Sequence, residues 1–422
     1  MSRRDVLKGS ALVALGACAA PLHKTGSKPK VVIVGGGVGG LATLRHLIDT
    51  HPDAFDITLI EPKTTYTTCF YSNLYVGGLR PLSSLQFRYD AIARRPGVQV
   101  VHDRVAAILP TERRVRTSTG VTFDYDRLVV SPGIAVDYTG LPGWSEQAAR
   151  RMPHAWQSGS QAQLLQRQLA TVPDGGLIVV IAPPNPYRCP PGPYERVSMM
   201  AHALTVSGRI GARIIIIDPK ESFSKQPLFQ QGWERHYPGM IEWLPPMVHD
   251  GVRRIDANTM TVETGFETYR NCALVNVIPR QSAGEIAVDA GLAAPGGYCV
   301  VDPTTLKSQH DDAIHVLGDA ADAGDMPKSA FAANSQARVV AQTIREELIQ
   351  AAHIEATYDN TCWSLIDTND SVYVGGQYRP SGNRITQIES VISSPADPDE
   401  VRATNYGASA AWYLGLTSAL FA

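Results

Sequence analysis

Short, continuous apolar runs recur along the chain, and most are followed directly by glycine or an acidic residue. Runs of this kind are typical of parallel strands that are buried on both faces. Segments with mixed apolar and polar positions separate them, as in "VGGLATLRHL". This alternation predicts an α/β protein with parallel sheets. The main runs are "KVVIV", "DITLI", "RLVV", "LIVVI", "RIIII" and "AIHVL".

The first run enters a glycine-rich turn and then a helix. Gly35, Gly37 and Gly40 form the pattern GxGxxG. The first glycine permits a tight turn, the second lets the backbone approach a pyrophosphate, and the third lets helix and strand pack closely. Glu61 ends the next strand, about 20 residues further on, where it can accept hydrogen bonds from a ribose. The sequence therefore predicts a dinucleotide site.

A second segment with matching features lies much later in the chain. An apolar strand ends at Gly318 and Asp319, and a helix follows in "MPKSAFAANSQARVV". This segment resembles the second FAD contact of flavoproteins with two dinucleotide folds, and "YDRLVVSPGI" resembles their connecting strand. FAD is therefore favoured over a free nicotinamide nucleotide. We expect an FAD-binding domain in two parts, residues 28–145 and 285–350.

The middle of the chain, residues 146–284, predicts a second Rossmann-like domain without a nicotinamide fingerprint. Its strands are "LIVVI" and "RIIII", but proline-rich "PPNPYRCPPGPYER" replaces the glycines between them. Proline lacks an N–H donor and restricts the backbone that would hold a pyrophosphate. Residues 351–422 predict a C-terminal α+β cap over the flavin.

The motifs of this chain resemble those of the flavoprotein subunit of flavocytochrome c sulfide dehydrogenase. The similar stretches are "VVIVGGGVGGLATLRHL", "YTTCFYSN", "PHAWQSGSQAQLLQRQL", "PYRCPPGPYERVSMMAHAL", "GDAADAGDMPKSAFAANSQA" and "NTCWSLI". The resemblance covers essentially the whole chain after the N-terminal segment. It implies two Rossmann-like, glutathione-reductase-like domains with the C-terminal cap.

The resemblance also implies the roles of four residues. Cys69 would hold FAD covalently through the flavin 8α-methyl group, and Glu195 would lie near the active site. Cys189 and Cys362 would form a redox disulfide that hydrosulfide opens. Of these two, Cys362 would pass electrons on and Cys189 would hold the incoming sulfur. The expected activity is sulfide dehydrogenase, with electrons passing to haem on a separate c-type cytochrome subunit.

Two other functions remain open from the sequence. One is a related sulfide:quinone oxidoreductase, which would need a basic, amphipathic C-terminus on lipid. Here no lysine or arginine follows Arg402, so we expect a buried terminal segment that places Trp412 near the flavin or a partner. The other is a non-enzymatic flavin-bound partner protein, which would not need Cys189 and Cys362.

Net charge and cysteine spacing bear on which partners and metal or haem sites the chain could have. The net charge of −2 gives no reason to expect nucleic acid as a partner. The sequence has no CxxC or HExxH, which argues against a zinc site, and no CxxCH for haem on this chain. Cys272 and Cys299 lie in apolar runs and are predicted to be structural.

The N-terminus predicts export. Arg3 and Arg4 precede the apolar run "ALVALGACAAPL", which is too short to span a bilayer. Residues 1–27 are therefore interpreted as a twin-arginine export signal, which implies the periplasm. Cleavage after Ala19 and lipid attachment at Cys18 both fit this segment.

Overall fold

The computed structural model describes residues 27–157 and 159–422. Cys18 and the predicted export signal, apart from its last residue Ser27, lie outside these residues. The first part of the chain alternates strands with mostly short helices. Its elements are β1 Lys30–Val34, α1 Val38–Thr50, β2 Asp56–Ile60, β3 Thr65–Thr67, α2 Ser72–Val76, β4 Gln86–Arg88, α3 Asp90–Ala93, β5 Val98–Val101, β6 Val105–Leu109, β7 Arg114–Thr117, β8 Thr122–Asp124, β9 Arg127–Val130 and β10 Ile134–Val136.

The middle part repeats the alternation and ends in a small antiparallel sheet followed by one more strand. Its elements are α4 Ser160–Ala170, β11 Leu177–Ile181, α5 Gly192–Val206, β12 Arg213–Ile217, α6 Gln226–His236, β13 Ile241–Leu244, α7 Pro246–His249, β14 Val252–Asp256, β15 Thr261–Thr264, β16 Thr268–Tyr269 and β17 Leu274–Val277. Strands β11, β12, β13 and β17 form one parallel sheet in the order β13-β12-β11-β17.

The chain then returns to the first part. The returning elements are β18 Gln281–Ala283, α8 Glu285–Asp289, β19 Cys299–Val300, β20 Ile314–Val316, β21 Ala321–Asp322 and α9 Ala330–Ile349. Strand β20 joins the first parallel sheet, whose order is β20-β9-β1-β2-β5. Strand β18 pairs with β10, and α9 packs against α1. One α/β unit is thus built from two separate stretches of sequence, with another inserted between them.

The last part is an antiparallel sheet and a long helix. Its elements are β22 Tyr358–Asp367, β23 Asp370–Ser381, β24 Arg384–Ile392 and α10 Asp399–Phe421. Helix α10 packs on β23 and α9 packs on β22, so this part covers one side of the first unit. The fold is therefore the predicted pair of Rossmann-like units with an α+β cap.

The strands form because their residues suit burial on both faces. All residues of β1 from Val31 to Val34 are buried, as are the β9 residues Leu128 to Val130 and four of the five residues of β12. Parallel sheets need cover on both sides. Helices α1 and α9 pack against each other and supply part of this cover, and buried residues of β6 and β7 join the same core. Among the described residues, no helix is long and apolar enough to cross a membrane.

Candidate active site

The glycine-rich turn follows β1 as predicted. Gly35 has φ +102°, which few side chains tolerate, and its amide donates to the carbonyl of Ile60 at 3.0 Å. A Cβ on Gly40 would collide with the carbonyl of Gly35, so α1 can approach β1 only with glycine there. Glu61 follows β2 and accepts from the amide of Gly36 at 2.9 Å. The predicted ribose acceptor therefore stands at the glycine-rich turn.

The structure brings the late segment to the same place. Gly318 has φ +74°, and a Cβ there would lie 3.4 Å from the hydroxyl of Ser131. Ser131 also bounds Gly35, because a Cβ on Gly35 would collide with the Ser131 carbonyl. Gly35 and Gly318, which are far apart in the sequence, thus meet on either side of one residue.

Asp319 follows Gly318 and carries an unusual feature. Its Oδ1 is buried and has no hydrogen-bond partner in the part of the chain that the structure describes. The nearest cation is Arg188, whose Nη1 lies 3.7 Å from Oδ2. Burial raises the pKa of Asp319. A buried carboxylate oxygen without a partner is costly, so this atom fits a hydroxyl-bearing ligand.

A cavity of about 100 Å³ lies where the two units and the cap meet. It brings together the four residues to which the family resemblance assigned roles. These are Cys69, Cys189, Glu195 and Cys362. Aromatic side chains and the first residues of α9 complete much of its wall. Among them are Phe70, Tyr71, Trp156, Ser329, Phe331, Trp363, Tyr406 and Trp412.

Cys69 follows β3, just before α2. Its carbonyl accepts from the hydroxyl of Ser72 at 2.6 Å, which fixes the backbone at this turn. The same strand carries Tyr66, whose ring stacks on Phe421 of α10 with centroids 5.6 Å apart. The half-buried thiol of Cys69 therefore lies between the glycine-rich turn and the cap.

Cys189 lies in the proline-rich loop between β11 and α5. Its φ is +58°, and its amide donates to the carbonyl of Lys328 at 2.8 Å. The preceding residue, Arg188, donates its amide to Gln281 at 3.0 Å. The loop therefore belongs to the second unit by sequence but is hydrogen-bonded to the first.

Glu195 lies in the first turn of α5. Its Oε2 accepts from Nδ2 of Asn73 at 2.7 Å, and its Oε1 accepts from the amide of Leu365 at 2.9 Å. Burial raises the pKa of Glu195, and these two hydrogen bonds oppose the rise, as do Lys225 and Arg196. A carboxyl group of this kind can exchange a proton closer to neutral pH than an exposed one.

Cys362 lies on β22, beside Val374 of β23, and is 8% exposed. Both Cys189 and Cys362 are free thiols in the structure, so a bond between them stays a prediction. Burial raises the pKa of both thiols, and the charge of Cys362 raises that of Cys189 further. Cys272 and Cys299 are 4% and 0% exposed within apolar clusters, and neither lines the cavity.

The acidic residue that follows β12 in the second unit is engaged by neighbouring side chains. Asp218 follows β12, as Glu61 follows β2, but it is fully buried. It accepts from Tyr194 at 2.5 Å and from the indole of Trp243 at 2.9 Å, and its other oxygen pairs with Lys220 at 2.6 Å. The protein itself therefore occupies the acceptor atoms that a ribose would need.

Sequence reasoning missed several polar residues around the thiols. Asn73, Arg188 and Asn360 lie within stretches that carry the resemblance. Their closeness in sequence to the cavity cysteines could have marked them as site residues. Lys225 had no such signal. It precedes α6, yet its ammonium group reaches the carbonyl of Cys362 at 2.9 Å.

The central domain of the flavocytochrome c sulfide dehydrogenase flavoprotein chain matches residues 162–279, and the flavin-binding domain of the same protein matches residues 354–421. The sulfide dehydrogenase flavoprotein chain of Chlorobaculum thiosulfatiphilum is 48% identical over 44 residues, which are 10% of this chain and 90% of that sequence. The chain belongs to the flavocytochrome c sulfide dehydrogenase flavoprotein family.

Other relatives of this family member lie among the sulfide:quinone oxidoreductases. The mitochondrial enzyme of Dictyostelium discoideum is 23% identical over 328 residues, covering 74% of this chain and 69% of that one. The pyridine nucleotide-disulphide oxidoreductase profile matches residues 29–180. The solved sulfide:quinone oxidoreductase of Aquifex aeolicus gives a TM-score of 0.71 at 17% identity, covering 93% of this chain and 92% of that one. At that identity the likeness shows the fold alone.

Membership makes this chain an FAD-binding flavoprotein oxidoreductase. The residues present fit that cofactor. Asp319 offers a buried oxygen that lacks a partner, and Gly35 and Gly318 provide backbone without side chains at the point where β1 and β20 end. Glu61 supplies the acceptor beside the turn. Because the carboxyl ends of parallel strands form the ligand edge of such sheets, these groups share one edge.

Proposed function

We propose that this flavoprotein oxidises hydrosulfide to sulfur or polysulfide through the pair Cys189 and Cys362, and passes the electrons to a c-type cytochrome subunit. The observation that carries the proposal is one cavity that collects Cys69, Cys189, Cys362 and Glu195 from three separate stretches of chain. Family membership supports the substrate, because the relatives are named for sulfide oxidation.

The protein's own groups perform the first step. In the oxidised pair, hydrosulfide forms a bond to one sulfur as the bond between Cys189 and Cys362 breaks, and the second cysteine leaves as a thiolate. The first cysteine then carries a persulfide. Glu195 lines the same cavity, and burial raises its pKa, so we assign to it the proton of the added sulfur.

FAD, when bound, supplies the two-electron acceptor and can return the electrons one at a time. Cys69 is proposed to hold it covalently through the flavin 8α-methyl group, since this thiol lies at the cavity beside the dinucleotide turn. Gly35, Gly37, Gly40, Glu61, Gly318 and Asp319 are proposed to bind the rest of the cofactor.

The proposal is tested by mixing the purified holoenzyme with sulfide in the absence of oxygen. The flavin absorbance should bleach in the wild type. In Cys189→Ser and Cys362→Ser, flavin should stay bound while sulfide-dependent bleaching is lost, because no disulfide remains to be opened. Near-normal turnover of Cys362→Ser would refute the role of the pair. The matched control is Cys272→Ser, which removes a buried thiol outside the cavity.

Quinone is the second candidate acceptor, and the sulfide:quinone oxidoreductase relatives favour it. Helix α10 exposes Leu414 to 60%, as a lipid-binding helix could. It has no lysine or arginine after Arg402, however, and such basic residues would help a helix to bind anionic lipid. This supports the cytochrome. Reduction of cytochrome c compared with that of a short-chain quinone, in the same sulfide assay, separates the two.

Export to the periplasm and a heterodimer with the cytochrome are parts of the same proposal. Export rests on the twin arginines Arg3 and Arg4. The heterodimer rests on the family, which is named for a flavocytochrome c. Purification from its native source under mild conditions tests both, because a haem-bearing subunit should accompany the chain in the periplasmic fraction.

A further inference from the structure

We propose that Lys225 and Asn360 are positioning residues that make Cys362 the leaving thiolate, so that hydrosulfide adds to Cys189. The inference rests on the proposed function and deepens it. It concerns which of two chemically identical sulfurs carries the negative charge when their bond opens. The surroundings of the two sulfurs differ sharply, and that difference carries the argument.

Asn360 is 2% exposed and lies two residues before Cys362 on β22. Its Oδ1 accepts from the hydroxyl of Ser329 at 2.6 Å, and Ser329 in turn accepts from the amide of Ala332 at 3.0 Å. That chain of donors fixes the amide so that Nδ2 points to the sulfur of Cys362, 3.4 Å away. The neutral thiol of Cys362 also donates to Oδ1 of Asn360 at 3.7 Å, and after ionisation the sulfur keeps the N–H donor.

Lys225 brings an ammonium group to the same strand, and burial lowers its pKa to about 8. It is 4% exposed, and its ammonium donates to the Cys362 carbonyl at 2.9 Å, to the Ser364 hydroxyl at 2.8 Å and to the Val372 carbonyl at 3.3 Å. These three acceptors are all neutral. Among the described residues no carboxylate is hydrogen-bonded to the ammonium, although Glu195 acts on it through its charge. A thiolate at Cys362 would supply a nearby counter-charge.

Cys189 has no comparable support. Its side chain packs against the apolar cluster of Ile134, Trp156, Tyr187 and Ile278. Arg188, Arg196 and Lys225 all act on Cys189 through their charges, but Arg188 is shared with Asp319, and among the described residues no donor is hydrogen-bonded to the Cys189 sulfur. A neutral persulfide or a buried disulfide sulfur suits these surroundings better than an anion does.

Other ionisable groups also face Cys362. They come from four different elements and are Glu195 on α5, Cys189 in the loop before it, Tyr378 on β23 and Lys225 before α6. Lys225 and the hydrogen bonds from Asn360 and Ser329 lower the pKa of the Cys362 thiol against the effect of burial, whereas Glu195 raises it. Protonation of Glu195 during the step therefore also favours the Cys362 thiolate.

The step balances without any further reagent. Hydrosulfide forms a sulfur–sulfur bond to Cys189 as the bond from Cys189 to Cys362 breaks. The bonding pair stays on Cys362 as thiolate, and the proton of hydrosulfide remains on the persulfide or passes to Glu195. The sulfide sulfur is oxidised and the disulfide is reduced.

The test uses Lys225→Met and Asn360→Asp in the holoenzyme, with Lys220→Met as a matched loss of a buried lysine in the same unit. One equivalent of sulfide is added to oxidised protein, the products are trapped by alkylation, and persulfide is quantified on each cysteine peptide. In parallel, the reduced protein is labelled with iodoacetamide over a range of pH to follow each thiolate. Thermal unfolding shows which variants are folded.

We expect persulfide mainly on Cys189 in the wild type and in Lys220→Met, and a shift towards Cys362 in the two test variants. Labelling of Cys362 near neutral pH should fall about tenfold in Lys225→Met, because a nearby charge moves a pKa by about 1–3 units. Lys225→Arg, which keeps the charge, should recover much of the lost labelling of Cys362.

Folded variants that keep both the persulfide distribution and the Cys362 labelling profile would overturn the inference. If Lys225→Met does not fold, Asn360→Asp alone decides, since it is isosteric and adds a negative charge beside the sulfur. The labelling needs no sulfide, so it still tests the inference if the wild type fails to react with sulfide, a result that would refute the proposed function instead.

Discussion

Replacing Glu195 with glutamine removes the carboxylate of the cavity and keeps its shape. Glutamine has one acceptor oxygen, whereas Glu195 accepts from both Asn73 at 2.7 Å and Leu365 at 2.9 Å. The peptide N–H of Leu365 cannot turn, and Oδ1 of Asn73 is held by Arg196 at 3.1 Å. One donor must therefore face an amide N–H₂ group, which costs about 1–3 kcal/mol.

The pH dependence of stability has the opposite sign from that of a paired surface carboxylate. Burial raises the folded pKa of Glu195 above its usual 4.5, so the folded protein holds this proton more tightly than the unfolded chain. The contribution of Glu195 to stability is fully present below about pH 4.5, the pKa of the unfolded chain. It is lost as the pH rises through the raised pKa of the folded protein. Glutamine does not titrate, so the variant does not lose stability in this way as the pH rises. The difference in the free energy of unfolding between the wild type and the variant should therefore shrink at higher pH.

The effect on activity is the sharper measurement. Only ionised Glu195 can accept a proton, so flavin reduction in the wild type should slow as the pH falls through the raised pKa. Glu195→Gln should reduce the rate by roughly 10²–10⁴, the usual range for a proton-transfer group, and should lose this limb of the profile. The assay is anaerobic stopped-flow at equal concentrations of ionised hydrosulfide. Its control is Glu234→Gln, an exposed carboxyl on α6.

A glutamine variant with the rate and pH profile of the wild type would refute the role of Glu195 in proton transfer. A variant that is slow but keeps the acidic limb would assign that limb to another group in the cavity.

Three further predictions follow from the site. Acid-precipitated wild type should stay yellow and Cys69→Ser should release free flavin, whereas a colourless wild-type precipitate would exclude the covalent bond. Asp319→Ala should weaken flavin retention during dialysis, measured in a Cys69→Ser background, because the buried acceptor for the cofactor is gone; equal retention would contradict the fit. NADH should not bleach the flavin, since Asp218 is saturated by Tyr194 and Trp243; rapid bleaching would show an intact nicotinamide site.

Local patterns were enough to predict the sheets, whereas the roles of the cavity cysteines came from the family resemblance and stay predictions. The apolar run before Gly35 and the spacing to Glu61 predicted β1, β2 and the turn between them, because close packing and chain reversal impose those residue types. The proline-rich loop around Cys189 was predictable for the same reason. These features depend on residues near one another in the chain.

The polar frame of the cavity was not predictable in this way. Lys225 reaches Cys362 only because α6 packs beside β22, and Asp218 is saturated by side chains from α5 and β13. Contacts of this kind depend on how whole elements dock, and a lysine before a helix gives no sign of its future partners. The pairing state of the two cysteines likewise depends on redox conditions as well as on sequence.

The proline-rich loop has a consequence for movement between the two α/β units. Its covalent ends belong to the second unit, but Arg188 and Cys189 donate their amides to Gln281 and Lys328 of the first. If the units rock against each other, the loop should travel with the first unit and flex at its own ends. Cys189 would then keep a constant distance from the ligand edge of the first sheet while the two units fluctuate. Slow exchange of the Cys189 amide hydrogen, against faster exchange at Asn185, would be the signature of such an anchored loop.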